Sequence, residues 1–268
     1  MIITGPIPKK NTIRSYQQTL SKFSHEHGEK DLKTLTPDVM LSFLNKTTEG
    51  KKQNTRRTRY SYMTAFFNFI RNNVDQNYIN PCDNRIMKKL FKVKPPNHWD
   101  FLEKDIVDEI IFRTTDPRNR LILELMARGG MRIGEVLKLK PLDINNRKLT
   151  LRSPKSGKEH ECIFIPQKLA DRLRDYIREM DLQSHQRIFS ICYETARDMV
   201  EKAGRVAGIH LRPHDLRRHA ATYASRSGVP IEIISKVILR HSNLSTTQMY
   251  LGTISDTEAI KWIENLHS

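Results

Sequence analysis

The run Lys92-Val93-Lys94-Pro95-Pro96-Asn97-His98 divides this chain. Proline fixes its own φ and drives the residue before it toward extended backbone, so helical periodicity stops there. A chain of 268 residues is more than one modest core, and the break leaves a segment of ordinary domain size on each side. The expected organisation is a helical domain over 1–94, a linker over 95–99 and a second domain over 100–268.

Upstream of the break, Ile13, Tyr16, Leu20 and Phe23 recur at helical spacing, as do Met63, Phe66, Phe67 and Ile70. Thr36-Pro37-Asp38 reads as a capped helix start before Val39, Leu41 and Leu44. These features predict a small helical bundle. Charge is uneven across the break: 18 basic against 7 acidic residues leave +11 over 1–98, and 28 against 23 leave +5 over the remainder, within a total of +16. An excess of that size points to a polyanionic partner, with nucleic acid foremost. The densest cluster is Lys51, Lys52, Arg56, Arg57 and Arg59, at the start of the Phe66/Phe67 helix, where cations and helix-start amides can meet phosphates. A merely solvated charged face is the competing reading of that cluster.

Downstream, Leu121, Ile122, Leu125 and Met126 form a helical stripe that stops at Gly129-Gly130, and Arg132 opens the next helix with Val136 and Leu137 on its buried side. Lys148–Arg152 and Glu161–Ile165 read as two strands around Ser153-Pro154-Lys155-Ser156-Gly157, a hairpin with a lysine at its tip. Helical patterns return from Leu169 to Ile177, around His214 to Ala224, from Ile231 to Leu239, and in Ala259, Ile260, Ile263 and Leu266. The expected fold class is mainly α with a small antiparallel β-sheet.

Several classes fall away. No apolar run approaches the roughly 20 residues that span a bilayer, and the amino terminus carries no basic segment followed by a long apolar core. A cytoplasmic location is the expectation. Cys82, Cys162 and Cys192 are odd in number and far apart, which fits reduced thiols better than a disulfide framework or a zinc site. No metal and no cofactor is expected.

Six residues of the second half then stand out: Arg132 after a glycine pair, Lys155 on the hairpin, His214 and Arg217 as His-x-x-Arg after a proline, His241, and Tyr250 after a Ser/Thr-rich run. Singly each has a plain explanation. Arg132 can pair with Glu135 on its helix, His241 can partner a helix carboxyl end, Tyr250 can be a buried aromatic and Lys155 a turn lysine. Together they suit attack on a phosphodiester. Two planar guanidinium forks offset the charge on nonbridging oxygens, a tyrosine with a reference pKa of about 10 needs cations and a base nearby, and a hairpin lysine can protonate the leaving oxygen.

In order and wording these motifs resemble the tyrosine recombinases, or phage integrases, a family that includes the Xer-type resolvases. The resemblance covers about Trp99 to Ser268 as the catalytic domain, and the basic helical region before it is similar to the family's SAM-like core-binding domain. It implies that Arg132 and Arg217 hold the phosphate, Tyr250 is the nucleophile, His214 takes its proton, His241 donates to the phosphate and Lys155 is the general acid. Lys158 on the same hairpin is the alternative acid. Glu135 matches the family's acidic residue after the first arginine, in a supporting role. The resemblance further implies a 3'-phosphotyrosyl intermediate, exchange through a Holliday junction and a homotetramer on two sites of double-stranded DNA. It also implies that the last apolar helix docks on a neighbouring protomer, although docking on its own domain is open too. A relaxing topoisomerase of the same chemistry and a noncatalytic DNA-binding regulator are the rival readings, and the complete set of six argues against the second. Two departures are plain: Arg218-His219 follows Arg217 where relatives vary, and Arg240 stands where the family usually has glycine. Arginine is strained there if the turn needs positive φ.

Overall fold

Thr36 does cap a helix: its side chain accepts from the Val39 amide at 3.4 Å, and Pro37 takes the first helical position, where no N–H is required. That helix, α2 (Pro37–Thr47), follows α1 (Lys10–His27) and precedes α3 (Gln53–Asn73) and α4 (Arg85–Leu90). The computed structural model describes residues 10–93, 101–152 and 159–251, and the chain falls into two compact units, Met1–Pro96 and Asn97–Ser268. The expected linker and the final apolar helix lie outside the described residues.

The first unit is built on aromatics. Phe23, Phe43, Phe67 and Phe91 join Met40, Leu44, Met63 and Met87 in one buried cluster, with Phe23 edge-on to Phe43 and Phe67 at 5.4 and 5.7 Å. The Tyr60 hydroxyl donates to the Cys82 carbonyl at 2.8 Å, so a buried polar group is satisfied beside a thiol that burial pushes up to about 12. Cys82 is thus a core residue, and none of the three cysteines is in a disulfide.

In the second unit, α5 (Lys104–Arg113) leads to α6 (Pro117–Ala127), which is buried on every side from Leu121 to Ala127. A helix enclosed in this way lies at the centre of its unit. It even encloses Glu124, 1 % exposed, which the Arg172 guanidinium of α8 (Gln167–Glu179) grips through two nitrogens at 2.7 and 3.2 Å. After Gly130, at φ +58°, comes the single turn α7 (Ile133–Val136).

The sheet follows, in the order β1 (Ile144–Asn145), β2 (Lys148–Arg152), β3 (His160–Phe164), all antiparallel. Leu149 faces Ile163 and Leu151 faces Glu161. The pleat turns Leu149, Leu151, Ile163 and Glu161 to the buried side. The two expected strands are present. β3 is set one residue earlier than its apolar pattern, His160–Phe164, and the Ile165 amide extends the same register by donating to the Arg147 carbonyl at 3.0 Å. The two-residue β1 is too short to register as a pattern.

Then come α9 (Tyr193–Val206), α10 (Pro213–Arg226), the short α11 (Ile231–Ile233) continuing into a π-helical turn at Ile234–Ile238, and α12 (Leu244–Leu251). Ala221, Ala224, Ile234 and Leu239 form a smaller core joining α10 to the π turn. Among the described residues no helix is long and apolar enough to cross a membrane.

Candidate active site

Arg132 is the residue that caps α7. The Arg132 amide donates to Glu135 Oε2 at 2.9 Å and its guanidinium donates to Glu135 Oε1 at 2.6 Å. The ion pair that is the plain explanation of Arg132 is therefore present. The pairing with Glu135 is real, and it orients a guanidinium whose side chain remains 32 % exposed.

His214 and Arg217 both come from the first turns of α10, which Pro213 begins and Asp215 reinforces by accepting from the Arg212 amide at 3.0 Å. His214 is exposed on the surface, while Arg217 is 1 % exposed. The Arg217 guanidinium donates to the main-chain carbonyls of Gly130 and Leu239, which ties the glycine turn before Arg132 to the segment before His241. A guanidinium buried to this depth survives only with such partners.

His241 follows the π turn, and its amide donates to the Ser235 carbonyl at 2.9 Å. Its Nδ1 shares a 3.0 Å hydrogen bond with the hydroxyl of Thr247, a fully buried residue of α12. Partial burial, then the charges of Arg217, Arg132 and Arg240 and the neighbouring His214, lower its pKa to about 4. Desolvation by the surrounding protein, reinforced by Arg218 and Arg217, lowers that of His214. Both imidazoles are thereby biased to the neutral form in a field of fixed positive charge.

Four of the six expected residues, Arg132, His214, Arg217 and His241, thus lie within electrostatic reach of one another. Tyr250 falls on the backbone of α12, the helix that Thr247 anchors. Lys155 and Lys158 lie outside the described residues, between the end of β2 at Arg152 and the start of β3 at His160. Among the described residues no group of His, Cys, Asp and Glu has the arrangement of a metal site.

Arg240 is the departure that the structure explains. It sits at φ +52°, the left-handed region where glycine costs nothing and arginine is strained. Its side chain is 3 % exposed. Nη2 donates to Glu135 Oε2 at 2.8 Å, Nη1 donates to the Ile238 carbonyl at 2.7 Å, and Nε lies 3.6 Å from Glu161 Oε2, an ion pair longer than a hydrogen bond. Burial raises the Glu135 carboxyl, but Arg240 and Arg132 outweigh that effect and hold it below the usual carboxylate range. Sequence reasoning missed Thr247 and Glu161. The signal for Glu161 was present, since strand alternation places a carboxylate on the same face as Leu149, Leu151 and Ile163, where it needs a cation.

In the first unit, the basic cluster divides in two. Lys51, Lys52 and Arg57 are exposed at the start of α3. Arg56 donates to Asn45 Oδ1 at 2.8 Å and lies over the Phe91 ring, and Arg59 donates to the Ser15 carbonyl at 3.1 Å and to Thr19. Those two arginines also hold helices together.

Residues 100–254 match the Phage integrase family, and residues 9–73 match the Phage integrase, N-terminal SAM-like domain. The tyrosine recombinase XerA of Pyrococcus furiosus is 31% identical over 253 residues, covering 90% of this chain and 83% of the relative. A tyrosine recombinase of Thermosipho africanus is 28% identical, covering 96% of this chain and 93% of its own length. The fold is shared with the XerH site-specific recombinase bound to palindromic difH substrate, at a TM-score of 0.73 and 21% identity, over 96% of this chain and 80% of that one. The chain belongs to the phage integrase family, the tyrosine recombinases.

Proposed function

We propose that this recombinase cuts and rejoins double-stranded DNA at specific sites by covalent attack of Tyr250 on a phosphodiester. The observation that carries the reading is the convergence of Arg132, Arg217, His214 and His241 from three separate stretches of chain into one cationic site. Arg132 and Arg217 offset the charge that grows on the nonbridging oxygens. A neutral His214 takes the tyrosyl proton as the Oη–P bond forms. When the Thr247 hydroxyl donates to Nδ1 of His241, the ring proton resides on Nε2, which then donates to the phosphate. Lys155, or Lys158 on the same segment, gives a proton to the 5' oxygen as the P–O bond breaks.

The product is a 3'-phosphotyrosyl ester. A second DNA 5'-hydroxyl reverses the step with no outside energy source, and reciprocal exchange between two sites passes through a Holliday junction. A homotetramer on two DNA sites accompanies this reading, as does a cytoplasmic location. Residues 1–94 act as the core-binding domain, with Lys51, Lys52, Arg56, Arg57 and Arg59 toward the backbone phosphates, and residues 100–268 as the catalytic domain, joined through 95–99.

The test is incubation with nicked suicide substrates made from native attachment sites, followed by a denaturing gel. A covalent 3'-linked adduct that disappears in Tyr250→Phe is the expected result. A wild type that binds the DNA and forms no adduct overturns the proposal.

A further inference from the structure

We propose that Arg240 is a positioning residue, which aligns Arg132 and His241 on one phosphate by sharing the Glu135 carboxylate with Arg132 and by fixing the left-handed turn before His241. The inference rests on the phosphotyrosyl reading above and concerns a residue at which this chain departs from its family's usual glycine. A strained, buried arginine in place of an unstrained glycine requires contacts that offset both burdens.

Those contacts converge on the groups already assigned. Glu135 Oε2 accepts from Arg240 Nη2 at 2.8 Å and from the Arg132 amide at 2.9 Å, while Oε1 accepts from the Arg132 guanidinium at 2.6 Å. One carboxylate is therefore divided between two arginines from distant parts of the chain. Without Arg240, the buried Glu135 and Glu161 would lose the cation between them. Arg132 would then be held more tightly by its own carboxylate, and less of its charge would be offered to an incoming phosphate.

The backbone carries the second half of the argument. Leu239, immediately before Arg240, presents its carbonyl to Arg217, and Gly130 presents its carbonyl to Arg217 and, at 3.4 Å, to Arg240 Nη2. His241 is the next residue. The turn at φ +52° thus sets the direction of a histidine while the side chain on that turn sets an arginine. Lysine could keep the charge but has no planar fork to reach Glu135, Glu161 and the Ile238 carbonyl together.

The experiment measures single-turnover adduct formation on a suicide substrate at saturating protein, for the full-length wild type, Arg240→Gly, Arg240→Lys, Glu135→Gln and the Glu135→Gln/Arg240→Gly double variant. Thermal melting and DNA affinity are recorded for each. Glycine accepts the turn without strain, so Arg240→Gly tests the side chain in a folded protein. The expected outcome is a cleavage rate about 10- to 100-fold lower in Arg240→Gly, of the size that small misplacements of a catalytic group produce. Arg240→Lys should be intermediate and DNA affinity unchanged. The double variant should be no slower than the slower single, because both changes break one link. Wild-type cleavage by Arg240→Gly, multiplicative losses in the double variant, or a loss that only follows the unfolded fraction would each overturn the positioning role. Absence of an adduct from the wild type would instead defeat the phosphotyrosyl reading beneath it.

Discussion

The guanidinium of Arg217 donates to the carbonyl of Gly130, so a residue inside α10 fixes the turn that presents Arg132. Gly130 can make that turn because it has no side chain. Its φ is +58°, and a Cβ there would stand 2.8 Å from Ile238 Cγ2 and 2.9 Å from the Ile238 oxygen. Gly130→Ala should therefore cost about 1–3 kcal/mol of stability from backbone strain and overlap. It should also slow cleavage more than DNA binding, since it moves Arg132 and Arg217 together. Chemical denaturation beside single-turnover cleavage checks both, and an unchanged cleavage rate would contradict the link.

His241 should be neutral at physiological pH in the DNA-free protein. Its pKa of about 4 reflects burial first and then Arg217, Arg132 and Arg240. The folded value lies below the unfolded 6.5, so its contribution to stability is complete above pH 6.5 and is lost as pH falls toward 4. NMR of the imidazole carbons should show no titration of His241 between about pH 8 and 6, where an ordinary histidine changes charge. Arg132→Ala, by removing one cation, should raise its midpoint.

A second histidine should make the first unit acid-sensitive. His27 is buried at 6 % exposure beside Phe23 and Phe43, and neither ring nitrogen has a hydrogen-bond partner among the described residues. Burial, then Lys30, lowers its pKa below 6.5. The neutral ring stabilises the fold above pH 6.5, and that contribution fades as pH falls through the lowered value. His27→Leu should flatten this part of the stability profile, as melting temperature against pH would reveal. An identical slope in both proteins would refute the assignment.

Salt dependence should separate the two kinds of arginine in the basic cluster. Arg57 is exposed, with its guanidinium 5.6 Å from the centre of the Tyr60 ring on its own helix, so Arg57→Ala should reduce the slope of log affinity against log salt by about 0.9 with little change in melting temperature. Arg59 is bonded to Ser15 and Thr19 of α1, and Arg59→Ala should lower the melting temperature as well. DNA titrations at several salt concentrations, with melting curves, would distinguish them.

Local signals announced the parts of this fold that local physics builds. The Thr36-Pro37 cap, the aromatic stripe of α3, the β2–β3 alternation and the proline at the start of α10 depend on residues within a few positions, and each formed where its pattern stood. Helices α4, α5 and α9 emerged only with the structure, although Ile106, Val107, Ile110 and Ile111 in α5 and Ala196, Met199, Val200 and Ala203 in α9 recur at helical spacing. Arg132, His214, Arg217 and His241 were legible through motif order rather than spacing alone, which in a chain rich in histidine and arginine is weak evidence.

What the sequence by itself determined was the helical character of most segments, the pair of antiparallel strands β2 and β3 and the chemical inventory of the candidate site. Tertiary structure alone decided how that inventory is wired. It set Glu135 between Arg132 and Arg240, Glu161 beside Arg240, and Arg217 on the carbonyls of Gly130 and Leu239. Periodicity reports which face of an element is buried, but it carries no record of which distant charge will meet a buried carboxylate. That pairing is fixed only when the elements pack and each desolvated charge must find its partner.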